Sequence, residues 1–148
     1  MATESKGLEL IMVTRDDFEA WLMFLDDCIS QLIGYLPNDV SARLDFTPES
    51  LVPLESWLLA TYDSPALILE RSEVWVLDRC TRYVGEVLRI NSGGVWDIDL
   101  VNEDNTFFGL PVVKKGRWVD CPASLVTAAL DRRQGNYMKR VIEKLIEE

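Results

Sequence analysis

The chain of 148 residues is 48% apolar and 27% charged, which is ordinary for a folded domain and argues against extensive disorder. Its net charge of −10 argues against binding to nucleic acids or anionic membranes, because their phosphate groups would be repelled. The chain has no histidine, so the commonest catalytic base and metal ligand is missing.

This size predicts one globular domain over residues 1–148. The first residues lack the basic-then-apolar pattern of a signal peptide, and no apolar stretch is long enough to span a membrane, so we expect a cytoplasmic protein. The acidic residues are unevenly distributed along the chain. Residues 1–63 hold 12 acidic and 3 basic side chains, a net charge of −9, whereas residues 64–148 hold 13 and 12.

The first elements are a polar tail, an apolar stretch and an amphipathic helix. Residues 1–7 are predicted to be flexible, and residues 8–13 are predicted to form a short edge strand. Thr14 and Asp17 are typical of a helix start, where the hydroxyl caps a free N–H and the acid lies at the positive end of the helix dipole. Apolar residues then recur at three- and four-residue steps, so one helix is predicted to run to Gly34.

Prolines mark the next helix starts. Thr47 followed by Pro48 predicts a second helix, with threonine as the cap and proline in the first turn. Pro53 would remove a hydrogen-bond donor inside this helix, so we expect a short turn before it or a kink at it. Pro65 is predicted to begin another helical turn.

The longest helix is predicted over residues 72–91. Its apolar stripe is wide, which indicates a central helix with neighbours on more than one side. Gly85 within it costs about 1 kcal/mol relative to alanine, so we expect another backbone segment to pass close to it. Gly93 and Gly94 suit the left-handed conformation that ends many helices.

Beyond the longest helix the hydrophobic pattern changes from helical to alternating. Residues 95–101, 106–113 and 117–119 are predicted to be three short strands joined by tight turns, which is an antiparallel meander. Two amphipathic helices are predicted after the meander, one before and one after Gly135. The fold prediction is therefore α+β, with four or five helices packed on a small three-stranded antiparallel β-meander.

Two segments resemble a widespread but uncharacterised family of small bacterial proteins. The first is Leu44-Asp-Phe-Thr-Pro-Glu-Ser-Leu51, which leads into a helix, and the second is Tyr83-Val-Gly-Glu-Val-Leu88, followed by Gly93, Gly94 and Trp96. The resemblance covers about the middle third of the chain and implies an α+β domain. It implies no biochemical activity, because both segments mark helix starts and ends rather than catalytic motifs.

A divalent-metal site is one functional hypothesis. Alternation places Asp97 and Asp99 on one face of the first predicted strand, roughly 6–7 Å apart, and Glu103 lies in the turn that follows. Mg²⁺ and Ca²⁺ take oxygen ligands, so these three side chains could hold such an ion. The alternative interpretation is an acidic strip that faces solvent and keeps the sheet soluble.

The three cysteines are too far apart along the chain for a close metal-binding pair, and their odd number favours free thiols. Cys28 and Cys80 lie on apolar helical faces and are predicted to be in the core. Cys121 precedes Pro122 at a helix start, where the helix dipole could lower a thiol pKa. A nucleophilic cysteine normally needs a base and the chain has no histidine, so we interpret Cys121 as structural.

The acidic side chains of the first helix are a candidate partner-binding surface. Most are predicted on its outer side, where they could steer a basic protein toward the chain. Trp75 flanks the main apolar stripe and is the tryptophan most suited to contact a partner. The basic last helix could instead meet the acidic helix of a second copy, which would give a homo-oligomer. The candidate partner-binding residues are Asp16, Asp17, Glu19, Asp26, Asp27 and Trp75.

Three functions are compatible with these patterns. The leading hypothesis is a non-enzymatic binding or adaptor protein, such as an immunity-like partner of a basic protein. The alternatives are a small-molecule or divalent-metal binding domain and a hydrolase that works through carboxylates alone, since paired acids can act without histidine. No spacing singles out a catalytic pair, so no catalytic residue and no cofactor are predicted.

Overall fold

A computed structural model describes residues 10–148 of the chain. It has an α+β fold, mostly helical, with one three-stranded antiparallel sheet, which confirms the predicted class. Short 3₁₀ turns cover Pro48–Ser50 and Arg71–Glu73. The remaining elements are α1 (Arg15–Met23), α2 (Leu25–Tyr35), α3 (Asn38–Ser41), α4 (Leu51–Thr61), α5 (Pro65–Ile68), α6 (Val74–Ser92), β1 (Val95–Asp97), β2 (Val112–Lys115), β3 (Trp118–Asp120), α7 (Pro122–Arg132) and α8 (Tyr137–Ile146).

The predicted flexible tail, residues 1–7, lies outside the described residues. The predicted edge strand is wrong over its described part, because Leu10 is in a 3₁₀ turn and residues 11–13 have no regular structure. Leu10 is instead buried in the core, and the N–H of Met12 donates to the carbonyl of Gly109 at 2.8 Å. This segment therefore packs as an irregular chain.

The predicted first helix starts where expected but is two helices. Thr14 and Asp17 form a reciprocal capping box at the start of α1. The helix then breaks at Phe24, and α2 continues from there to Tyr35. The Trp21 carbonyl, which a continuous helix would offer to the next turn, accepts a 2.6 Å hydrogen bond from Arg82 of α6 instead. The break is thus produced by a side chain from another helix.

The helix start at Pro48 is confirmed with the expected interruption, but Thr47 is not a side-chain cap, because its hydroxyl donates to the Asp45 carboxylate at 2.6 Å. A 3₁₀ turn over Pro48–Ser50 precedes α4, which places Pro53 in the first turn of α4. A missing N–H is harmless there, because first-turn N–H groups have no acceptor within the helix. Pro65 begins the short helix α5, as predicted.

Glu55 of α4 caps a different helix. Its side chain is fully buried and accepts hydrogen bonds from the backbone N–H groups of Tyr137 (3.0 Å) and Met138 (2.9 Å). These N–H groups belong to the first turn of α8, where a negative charge is favoured by the helix dipole. The contact fixes α8 against α4.

We expect Glu55→Ala to lower the free energy of unfolding by about 2 kcal/mol, because two buried N–H groups would lose their acceptor. Urea denaturation followed by circular dichroism measures the change. Glu49→Ala is the matched control, because the Glu49 side chain is exposed and makes no hydrogen bond or ion pair with another described residue. Equal stability of the two variants would contradict this role for Glu55.

The long helix α6 occupies the central position that its wide apolar stripe predicts. It packs against α2, α7, α8 and β2, and it ends at Gly93, which has a left-handed φ of 77°. The buried apolar side chains around it form one cluster drawn from α1 through α8 and the sheet. No helix within residues 10–148 is long and apolar enough to cross a membrane.

Residues 44–51 and 83–88 meet in the fold. Phe46 has a left-handed φ of 64°, and its N–H donates to the hydroxyl of Tyr83 at 3.0 Å. The same hydroxyl lies 2.6 Å from that of Ser50, and the Asn91 amide donates to the Phe46 carbonyl at 2.8 Å. The loop before α4 is therefore held to α6 by buried polar side chains.

The three strands pair in the predicted order β1-β2-β3, all antiparallel. They are shorter than predicted. β1 ends at Asp97, because the carboxylate of Asp99 accepts the N–H groups of Val101 (2.9 Å) and Asn102 (3.0 Å) and turns the chain away. β2 therefore begins only at Val112.

Candidate partner-binding surface

All five acidic side chains predicted to bind a partner are exposed, but they lie on two helices and differ in their contacts. Asp17 accepts the N–H of Thr14 at 3.3 Å, and Glu19 forms an ion pair with Arg15 at 3.3 Å. These two acids therefore act within α1. Three others make no hydrogen bond or ion pair with another described residue, namely Asp16, Asp26 and Asp27.

Two large apolar side chains lie beside the unpaired acids of α2. Met23, the last residue of α1, is 77% exposed, and Phe24, at the break between α1 and α2, is 52% exposed. Adjacent exposed apolar side chains rimmed by charged residues are a common feature of protein interfaces.

One exposed strip runs the length of α2. It contains Asp27, Ser30, Gln31, Gly34 and Tyr35, which recur at three- and four-residue steps. A rise of 1.5 Å per residue separates Asp27 from Tyr35 by about 12 Å along the helix axis. The acidic start of α2 and its aromatic end therefore belong to one surface.

Aromatic side chains cover the end of this strip. Tyr35 is 53% exposed, and its ring contacts those of Trp57 and Trp75 at centroid distances of 6.1 and 5.1 Å. Trp75 is only partly exposed, because the guanidinium of Arg79 lies 4.8 Å above its ring. Arg79 also donates to the side chain of Gln31 at 2.7 Å, which ties Trp75 to the strip.

We refer to this region as the α2 surface. It brings together part of the predicted set, since Asp16, Asp17 and Glu19 lie on α1 outside it. The α2 surface is defined by Met23, Phe24, Asp26, Asp27, Tyr35 and Trp75.

A buried charge network attaches this part of the chain to α6. Asp78 accepts hydrogen bonds from the Trp21 indole and from Arg82, both at 2.8 Å. Arg82 is 5% exposed and lies 4.2 Å above the ring of Trp21. The network is fully paired, so it holds the α1–α2 break in one position.

A second buried charge pair lies one turn further along α6, at Glu86. This buried carboxylate accepts the indole N–H of Trp96 at 2.8 Å and a two-point ion pair from Arg89 at 2.6 and 2.9 Å. Glu86 raises the pKa of Arg89 above its ordinary value, and the nearby charge of Asp26 adds to this effect.

Sequence reasoning missed this network. The residues at positions 78, 82 and 86 share one face of the helix at four-residue spacing, within an otherwise apolar stripe. Charges inside such a stripe were the available signal for buried ion pairs, but the partners on α1 and β1 could only be found in three dimensions.

The predicted metal site is not assembled. Asp97 pairs with Lys114 at 2.6 Å, and Asp99 holds the turn after β1. Burial alone would raise the pKa of Asp97, but the hydrogen bonds from Lys114 and the Ile98 N–H and the charges of Lys114 and Arg15 lower it. Glu103 is exposed in the following loop. Within residues 10–148 no group of three or more acidic or cysteine side chains is placed to hold a metal ion.

The cysteines have the structural character that the sequence predicts. Cys28, Cys80 and Cys121 are buried free thiols. Burial raises the pKa of Cys80 to about 12, and it also raises the pKa of Cys121 despite the start of α7 beside it. Both thiols are therefore protonated at neutral pH, which removes the reactive thiolate form.

Asp120 is a buried carboxyl group with an unfulfilled hydrogen bond. Burial raises the pKa of Asp120 to about 6, although the Cys121 N–H donates to it. Its second oxygen is buried and has no partner among the described residues.

We expect Asp120→Asn to raise the free energy of unfolding by about 2 kcal/mol at pH 8 and by much less at pH 4. The folded pKa lies above the unfolded value of 3.8, so stability present at pH 4 is lost as the pH rises through 6 and the buried group ionises. Denaturation at a series of pH values tests this. Asp104→Asn removes an exposed carboxylate as a control, and equal pH profiles for all three proteins would contradict the interpretation.

Comparison with known proteins identifies no relative. The chain matches no known protein family, and neither a curated protein nor a solved structure is significantly similar to it.

Proposed function

We propose that the protein is a non-catalytic binding protein whose α2 surface docks a partner protein with a basic face. The observation that carries this proposal is the position of two unpaired acids, Asp26 and Asp27, beside exposed apolar and aromatic side chains on one helix. A basic partner would neutralise the acids and cover Met23, Phe24 and Tyr35.

The composition of the α2 surface supports this proposal. Tyrosine, tryptophan and methionine are enriched at protein interfaces, and they supply most of the binding energy when they pack centrally. Charged side chains around them chiefly speed association and select the partner. The α2 surface has both components.

The rigidity of the α2 surface is a further argument for the proposed binding function. Arg82 and Asp78 lock the end of α1, and Arg79 locks Gln31 on α2. A surface that is ordered before binding loses less conformational entropy in the complex, so more of its contact energy contributes to affinity.

Photo-crosslinking in cells of the native source identifies the partner. A photoreactive residue replaces Ser30, which is exposed midway along α2, and the control protein carries it at Asp104 in the loop after β1. We expect a protein with a basic surface to be crosslinked only from position 30. Identical products from both positions would contradict the proposal.

With the purified partner, we expect Asp26→Asn combined with Asp27→Asn to weaken binding about tenfold at low salt, because two attractive charges are lost. High salt should weaken the wild-type complex and reduce this difference by screening. Calorimetry or surface plasmon resonance measures both effects. Glu103→Gln with Asp104→Asn removes the same charge elsewhere, and an equal loss from this control would show that net charge, not the α2 surface, governs binding.

A further inference from the structure

Met23 is the most exposed sulfur-containing residue within residues 10–148. It is 77% exposed, whereas Met12 is partly buried and Met138 is fully buried. The three cysteines in this range are buried as well. Oxidation of sulfur in proteins follows exposure to solvent, so a water-soluble oxidant meets Met23 before the other sulfur atoms of these residues.

The buried thiols compete poorly for such an oxidant. A peroxide reacts with the thiolate form of cysteine, and the raised pKa values of Cys80 and Cys121 keep both thiols protonated at neutral pH. Cys28 is only 7% exposed. A thioether has no proton to lose before it reacts, so exposure decides how fast Met23 is oxidised.

Oxidation of Met23 would leave the fold intact. Met23 is the last residue of α1, and it belongs neither to the buried apolar cluster nor to the side chains packed against that cluster. Met138, in contrast, is part of the cluster, where a polar sulfoxide would be costly. The most accessible methionine of the described residues is therefore one whose modification changes only the surface.

We propose that Met23 is a reversible oxidation site, at which conversion to the sulfoxide by hydrogen peroxide weakens docking of the partner on the α2 surface. The thioether sulfur attacks one peroxide oxygen, the O–O bond breaks and an S–O bond forms. The sulfur loses two electrons, and the second oxygen leaves as water after taking up the proton of the first. Methionine sulfoxide reductases reverse the change with two thiols, which become a disulfide while the oxygen leaves as water.

This inference rests on the proposed function, because it requires the partner to cover Met23. Burial of an apolar thioether is favourable, whereas a sulfoxide brings a polar oxygen into the contact and has to lose its water. The neighbouring Phe24, Asp26 and Asp27 keep their chemistry, so part of the surface still binds. We therefore expect the sulfoxide to weaken binding about tenfold without abolishing it.

Treatment of the full-length protein with hydrogen peroxide, followed by mass spectrometry of its peptides, tests the site. We expect the peptide that contains Met23 to gain one oxygen well before the peptides that contain Met12 and Met138. The circular dichroism spectrum and the denaturation midpoint of the protein oxidised at Met23 should match those of the untreated protein. Faster oxidation of Met12 or Met138, or unfolding on oxidation of Met23, would overturn the proposal.

The affinity for the purified partner that is crosslinked from position 30 tests the effect on docking. Peroxide should weaken binding about tenfold in the wild type and in the control variant Met12→Leu, and the two sulfoxide reductases, one for each epimer, should restore it. Met23→Leu, compared only with itself, should have the same affinity before and after treatment, because leucine is not oxidised. Bound partner should in turn slow the oxidation of Met23, since such coupling is reciprocal.

The outcomes separate this inference from the proposed function. Binding that is unchanged by peroxide, or an equal loss of affinity in Met23→Leu, would overturn the oxidation site and leave the proposed function standing. An untreated protein that binds no partner would contradict both.

Discussion

Replacing Arg82 by methionine is expected to lower the free energy of unfolding by about 3–5 kcal/mol, the largest effect of any substitution considered for this protein. Arg82 is 5% exposed, and its removal would leave the Asp78 carboxylate buried without its closest cation. The Trp21 carbonyl would lose its hydrogen bond at the same time. Chemical denaturation of the two proteins at neutral pH measures the difference.

Arg79→Met is the matched control for this prediction. Arg79 also pairs with Asp78, at 2.9 Å, but its side chain is more exposed than that of Arg82, so its loss should cost less, about 1–2 kcal/mol. The double variant Asp78→Leu with Arg82→Met should lose less stability than the sum of the two single variants, because each single change breaks the same ion pair. If Arg82→Met and Arg79→Met lowered the free energy of unfolding by the same small amount, the buried pair of Arg82 and Asp78 would not be what holds α1 to α6.

Gly85→Ala is expected to lower the free energy of unfolding by about 3 kcal/mol, although alanine is the better helix former. A Cβ atom at this position would overlap the Trp96 ring and lie 3.0 Å from Pro122. The ring would have to move, which would break its hydrogen bond to Glu86 and its edge contact with Trp21. Overpacking of this kind outweighs the gain of about 1 kcal/mol in helix propensity.

Gly34→Ala is the control for Gly85→Ala, and we expect it to raise the free energy of unfolding instead of lowering it. Gly34 lies in the last turn of α2, and a Cβ atom there would meet nothing within 4 Å. We expect this variant to be more stable than the wild type by about 0.5–1 kcal/mol. Thermal denaturation and near-ultraviolet circular dichroism of the tryptophans compare the two variants, and destabilisation by both would show that the helix backbone, not the Trp96 contact, is responsible.

Local signals predicted those parts of the fold that local interactions determine. The capping box at Thr14 and Asp17, the prolines that begin the 3₁₀ turn before α4 and the helix α5, and the glycine that ends α6 act within a few residues of the chain. The close approach at Gly85 was also predicted, although the approaching group is the Trp96 side chain and not a backbone segment.

Long-range contacts account for what the sequence did not predict. Apolar spacing is unbroken from Phe18 to Leu32, so nothing local indicates the helix break at Phe24, which depends on Arg82 taking the Trp21 carbonyl. In the same way, alternation suggested that Asp97 and Asp99 share a strand face. The pairing of Asp97 with Lys114 and the turn that Asp99 holds place the two carboxylates in different structures.

The α2 surface also depends partly on composition and partly on long-range contacts. Composition alone determined that the N-terminal half is acidic and that histidine chemistry is absent, because these properties depend only on which residues are present. Tertiary structure decided which acids remain unpaired and which aromatic side chains lie beside them. That outcome depends on contacts between residues dozens of positions apart, such as Trp21 with Asp78 and Tyr35 with Trp75, and no local pattern in the chain encodes them.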